Sequence, residues 1–206
     1  MPAAALTLML STRGALLDKP DQVSVADRLG GLVTLALSDC RLIRLDGSFL
    51  DEVERVSTLI PKDPAFQVRI QASFDKQGLM STLGASILHV GPGAVDIALV
   101  PSPSVSQQHG FVHAGAVAAI ADTAAGYAAL SLMPPGAGVL TTEFKINLLT
   151  PAIGDRIVAR GRVVKAGRTL TLAQTEVFAD HRGQTKLTAL LTATLMTIQD
   201  RDGVTD

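Results

Sequence analysis

Residues 114–133 read AGAVAAIADTAAGYAALSLM. Alanine, the best helix former, dominates the run. It stops at Met133-Pro134-Pro135-Gly136, where proline cannot continue a helix. A helix over 114–133 is therefore predicted. Its length alone would suit a bilayer span. Asp122, however, stands near the middle, and a central Asp costs roughly 2.5–3.5 kcal/mol on insertion, which alanines offset little. A helix apolar on nearly every side belongs in the interior of a globular domain.

Asp122 is the sole charged residue of this helix. Its helical neighbours are Ala118, Ala119, Ala125 and Gly126, so no Lys or Arg within a turn can pair with it. Two readings follow. The carboxylate either lies on a solvent-facing stripe or is tied to a backbone group, or it is a perturbed acid–base group in an apolar site. The segment before it, Gln107-Gln108-His109-Gly110-Phe111-Val112-His113-Ala114-Gly115, ends in small residues. They let a substrate approach the free N–H groups of a helix N-terminus, which can hold a developing oxyanion. Gly115 and Asp122 lie about two turns apart, so both are expected to face one groove. His113 reads equally as a plain capping or turn residue.

Outward from the helix the pattern alternates. Residues 85–90 and 95–100 read as a hairpin around Gly91-Pro92-Gly93-Ala94. Upstream, Asp63-Pro64 starts a helix with Phe66, Ile70 and Phe74 at near-helical spacing, ended by Gly84. Downstream come strands at 139–149, 156–164, 169–179 and 186–198, with turns at 165–168 and 180–183. In the first of these, alternation places Leu140, Phe144, Ile146 and Leu148 on one face and Glu143, Lys145 and Asn147 on the other. One long helix with strands segregated around it predicts an α+β layer, an antiparallel sheet packed on a helix.

Residues 1–60 differ. Their charges are irregular, they show no clean periodicity, and 29–37 fits a strand or a short helix. The Pro-rich punctuation at 60–64 marks the boundary, giving an extension over 1–60 and a domain over 61–200. The apolar run at 3–10 has no basic residue before it, unlike a secretory signal.

Hydrophobic residues make up 47% and charged residues 18%, enough for a sizeable core. A formal net charge of −1 gives no electrostatic reason to expect nucleic acid or an anionic membrane as partner. Cys40 is the one cysteine, which excludes an intrachain disulfide and fits a reducing cytoplasm. His89, His109, His113 and His181 lack zinc-site spacing, so no metal is expected.

The pattern His113-Ala114-Gly115-x(6)-Asp122, with Gln107 six residues earlier, resembles the active-site segment of hotdog-fold thioesterases of the phenylacetic acid degradation (PaaI-like) type. The resemblance runs from about 64 to 198 and takes in EFKINLLTPA at 143–152 and GRVVKAGRTL at 161–170. It implies a six-stranded antiparallel sheet wrapped around a long central helix. It also implies a homodimer with a continuous sheet, commonly a dimer of dimers, with sites completed by both chains. The activity implied is hydrolysis of an acyl-CoA, aryl-acyl or of short to medium chain, with no cofactor beyond the CoA of the substrate.

Residue by residue, the resemblance gives Asp122 as nucleophile or base and Gln107 as the group positioning the carbonyl or water. His113 matches the His of a His-Gly-Gly motif. Ala114 stands where that motif's first Gly supplies the oxyanion N–H, with Gly115 as the other candidate. Gly126 lacks the hydroxyl that some relatives carry there. Lys165 and Arg168 are candidates for the CoA phosphates, against the alternative of ordinary solvated turn charge. The competing classes are a hotdog hydratase or dehydratase, whose proline-glycine after the His is missing here, and a non-catalytic acyl-CoA-binding protein, in which Asp122 would be idle.

Overall fold

The computed structural model describes residues 59–199 and residue 203, together with the backbone of three short N-terminal strands. The chain divides into two compact units, Met1–Glu52 and Val53–Asp206. In the first unit, β1 (Ala15–Lys19), β2 (Gln22–Ala26) and β3 (Leu32–Ala36) form an antiparallel sheet in that order. The ambiguous segment at 29–37 thus contains a strand.

The second unit opens with α1 (Phe66–Phe74) and α2 (Gly78–Leu83). Phe66, Ile70 and Phe74 are buried, as their spacing requires. The single helix expected up to Gly84 is broken, however. Gln77 has extended backbone (φ −77, ψ 101), and its side chain donates to the Tyr127 hydroxyl. Gly84, at φ +64, closes α2 in the left-handed conformation.

The hairpin follows as β4 (Ala85–Gly91) and β5 (Ala94–Leu99), and then the central helix α3 (Ala114–Leu130). Four long strands complete the unit: β6 (Gly138–Leu148), β7 (Arg156–Lys165), β8 (Leu170–His181) and β9 (Gln184–Ile198). The six strands make one antiparallel sheet in the order β4-β5-β7-β8-β9-β6. The sheet wraps α3, which is the hotdog fold expected from the sequence.

Small residues on both sides bring helix and sheet close. Ala159, Gly161, Ala173, Ala189 and Ala193 lie on the inner face beneath the alanines of α3. A Cβ on Gly161 would lie 2.5 Å from the Ala124 carbonyl carbon and nearer still to its oxygen. The approach lets the buried Thr175 hydroxyl donate to the Ala121 carbonyl at 3.0 Å. The helix ends at Leu130 rather than Met133. There the Arg69 guanidinium, paired with Asp63 at 3.3 Å, donates to the carbonyls of Leu130, Met133 and Pro134 at 3.1, 3.2 and 2.7 Å.

The expected alternation of β6 holds only in part. Thr141 pairs with Leu195 and Glu143 with Thr194, so Thr142 is an extra residue, a β-bulge. The bulge reverses the side-chain parity. Val139, Thr141, Phe144, Ile146 and Leu148 share the inner face with Leu195, Ala193, Leu191 and Ala189, whereas Leu140 turns outward opposite Met196. Leu140 is therefore not on the face of Phe144, Ile146 and Leu148.

β6 is also an edge strand, with no strand on its second side among the described residues. Its inner-facing Phe144 and Leu148 are 45% and 55% exposed. Among the described residues, no helix is long and apolar enough to cross a membrane.

Candidate active site

Two grooves hold Gln107, His113, Ala114 and Asp122, four of the residues singled out in the sequence. The first, about 510 Å³, lies at the N-terminus of α3 and is lined by Gln107, His113, Ala114, Val117 and the chain from Leu148 to Ala152. The second, about 380 Å³, lies along the middle of α3 and is lined by Asp122, Gly126, Tyr127, Gln77, Leu79 and the start of β6 from Val139 to Thr141. Ala114 and Asp122 are about 12 Å apart along the helix axis. The expectation that Gly115 and Asp122 share one groove does not hold within a single protomer, since Asp122 lines only the second.

The first groove is a set of donors. The His113 Nδ1 accepts the Gly115 N–H at 2.8 Å and caps the helix. In the neutral ring this places the proton on Nε2. It also engages the Gly115 N–H in that cap. The Ala114 N–H, in contrast, meets no acceptor among the described residues. Being the first of the helix, it carries the positive end of the helix dipole. The Gln107 Oε1 accepts the His109 N–H at 2.8 Å, which leaves Nε2 as its outward donor. Gln107 itself is fixed by a pair of turn bonds, its N–H to the Phe111 carbonyl at 2.8 Å and its carbonyl to the Gly110 N–H at 2.9 Å.

The second groove holds the carboxylate. Asp122 is partly buried on α3, and burial among alanines pushes its pKa above the ordinary carboxylate value. The Thr141 hydroxyl donates to Oδ1 at 2.8 Å and partly opposes that shift. Oδ1 is therefore held, and Oδ2 accepts no hydrogen bond among the described residues. Gly126 carries no hydroxyl, and the hydroxyl beside Asp122 comes instead from β6, on the residue that the bulge turns inward. No signal in the sequence marks Thr141, since neither Gly nor Pro announces the bulge.

Lys165 and Arg168 lie exposed at the β7–β8 turn and line neither groove. The register Leu140–Met196–Leu170 places this turn at the same end of the sheet as the start of β6, two strands away. That is about 10 Å across the sheet. Among the described residues no three His, Cys, Asp or Glu side chains converge as a metal site.

A carboxylate on the central helix of a hotdog sheet, with donors at that helix's N-terminus, provides groups that thioester hydrolysis can use. The thioesterase superfamily model matches residues 109–186, the span from the donor groove through β8. A protein of Halobacterium salinarum named as an esterase is 33% identical over 113 residues, covering 52% of this chain and 74% of its own length. A crystal structure of a thioesterase family protein from Silicibacter pomeroyi is 46% identical, with a TM-score of 0.64, over 65% of this chain and 98% of that one. The PaaI protein of the E. coli phenylacetic acid degradation operon shares the fold at 23% identity, with a TM-score of 0.59, over 68% of this chain and 95% of that one. The chain belongs to the thioesterase superfamily.

Proposed function

We propose that this protein is an acyl-CoA thioesterase of the PaaI-like type, active as a homodimer in the cytoplasm. Each site joins the donor groove of one protomer to the carboxylate groove of its partner. The observation that carries this reading is the placement of the two grooves at opposite ends of the edge strand β6. The carboxylate groove is built on Val139–Thr141 and the donor groove on Leu148 and Leu149. Antiparallel pairing of β6 with a second β6 brings the start of one strand against the end of the other. It would also cover Phe144 and Leu148 and extend the sheet past its edge strand. The outer face near Leu140, Leu170 and Leu172 is the surface proposed for pairing two dimers.

In such a site the thioester carbonyl lies against the Ala114 N–H, oriented by the Gln107 and His113 donors. Asp122 Oδ2 draws a proton from water, a task favoured by the basicity that burial confers. The water oxygen bonds to the carbonyl carbon, and the developing oxyanion is held by the helix N-terminus. Collapse breaks the C–S bond, and the CoA thiolate takes the proton. Lys165 and Arg168 supply cations to the CoA phosphates.

Free-thiol release from a panel of acyl-CoA thioesters tests the reaction. Absorbance change without thiol would indicate hydratase chemistry, and binding alone a regulator. Co-expression of Asp122→Asn with Ala114→Pro tests the shared site. Each variant alone is expected to be nearly inactive. Random mixing should restore about a quarter of wild-type turnover, because half the dimers are mixed and each mixed dimer has one intact site. No recovery in mixed dimers would refute the shared site.

A further inference from the structure

Beyond Asp122 the carboxylate groove continues along α3 past Gly126 to Tyr127 and Gln77. None of these three takes part in the hydrolysis described above. The sides are apolar: Leu79, Ala119 and Val139. The far end is polar. Gln77 Nε2 donates to the Tyr127 hydroxyl oxygen at 2.8 Å, and the Tyr127 hydroxyl donates to Ser73 Oγ at 3.1 Å. This run of donors fixes the amide. Its nitrogen faces the tyrosine, and its Oε1 meets no donor among the described residues. An acyl chain that dried this end of the groove without offering a donor would leave that acceptor unsatisfied, at a cost in binding.

Among the described residues the passage to it is open: a Cβ on Gly126 would find none of their atoms within 4 Å. From Asp122 to Tyr127 the helix rises about 7.5 Å. That is the reach of roughly six bonds of extended chain.

We propose that Gln77 determines specificity at the end of the acyl groove. Its Oε1 accepts a hydrogen bond from a hydroxyl carried about six bonds from the thioester carbonyl, and Gly126 keeps the way to it clear. The proposal rests on the thioesterase reading and names the acyl class for that same site: acyl groups with a distal hydroxyl.

The test compares hexanoyl-CoA with its ω-hydroxy counterpart by thiol release. Wild-type enzyme is expected to favour the hydroxylated substrate by roughly tenfold in kcat/KM, the worth of one neutral hydrogen bond to an otherwise unpaired acceptor. In Gln77→Leu that ratio should fall to one or below. Tyr127→Phe, which keeps the amide and releases its anchor, should give an intermediate ratio, and this variant serves if Gln77→Leu does not fold. Gly126→Val should lower the ratio of hexanoyl-CoA to acetyl-CoA turnover. Thiol release from both six-carbon substrates, with the same ratio in wild type and Gln77→Leu, would overturn the role of Gln77. So would a wild-type ratio of one. Absence of thiol release from either substrate would overturn the thioesterase reading, and this inference with it.

Discussion

Ala114→Pro isolates a single backbone hydrogen atom. Ala114 is the first residue of α3, the one helical position where proline is readily accommodated, because the N–H it removes has no intrahelical partner. The preceding residue, His113, has φ −61 and ψ 137, the extended conformation that a residue before proline requires. The Ala114 side chain is exposed, so the ring meets no packed wall. The Gly115 N–H bond to His113 stays in place. Stability should accordingly be unchanged or slightly raised, since proline also restricts the unfolded chain. Catalysis should not survive so well. Deleting one oxyanion donor costs about 10²–10³ in kcat, or about 2.7–4 kcal/mol of transition-state stabilisation. A loss at the upper end is expected here, because His113 already engages the Gly115 N–H. The assay is thiol release at saturating acyl-CoA, with thermal melting and size-exclusion chromatography as controls for fold and assembly. A folded Ala114→Pro protein with wild-type kcat would show that the oxyanion is not held at this helix end.

Four further outcomes follow from the geometry. Asp122→Asn should lose at least about 10² in kcat. Burial raises the Asp122 pKa, so its carboxyl contributes stability at low pH that is lost as pH rises through the folded value. The Asn variant should therefore melt higher than wild type at neutral pH, and this advantage should shrink in acid. In Thr141→Val the bond that lowers the Asp122 pKa is gone, so the acid limb of the kcat/KM profile should move to higher pH; an unmoved limb would remove Thr141 from the site. Gly161→Ala should push α3 away by about 1 Å, with an overpacking cost of about 1–3 kcal/mol seen in the melting temperature. It should also lower kcat by up to about 10²-fold as Asp122 is displaced. Lys165→Ala combined with Arg168→Ala should raise KM for acyl-CoA and leave acyl-pantetheine unaffected, and equal effects on both would return these cations to ordinary turn charge.

Much of the fold was legible in residue periodicity. The alanine run had to be a buried helix because it offers no polar face, and the alternating runs at 156–164 and 169–179 emerged as strands β7 and β8 with nearly the expected bounds. Asp122 stood out because an unpaired charge among alanines is costly unless it is used. The sequence by itself thus determined the α+β layering, the helix at its centre and the carboxylate worth attention.

Tertiary structure decided the rest, because it depends on contacts between distant residues. At the break between α1 and α2, Gln77 is extended and its side chain reaches Tyr127, 50 residues on, a partner that no local pattern names. The bulge at Thr142 has no local mark, yet it reverses the parity of β6, sends Leu140 outward and brings Thr141 to Asp122. The capture of the Gly115 N–H by His113 depended on a ring orientation that spacing does not encode. The separation of donors and carboxylate into two grooves at the two ends of β6 arises because a helix rises about 1.5 Å per residue. Residues eight apart on one helix therefore cannot hold the same carbonyl, however close they stand in the sequence.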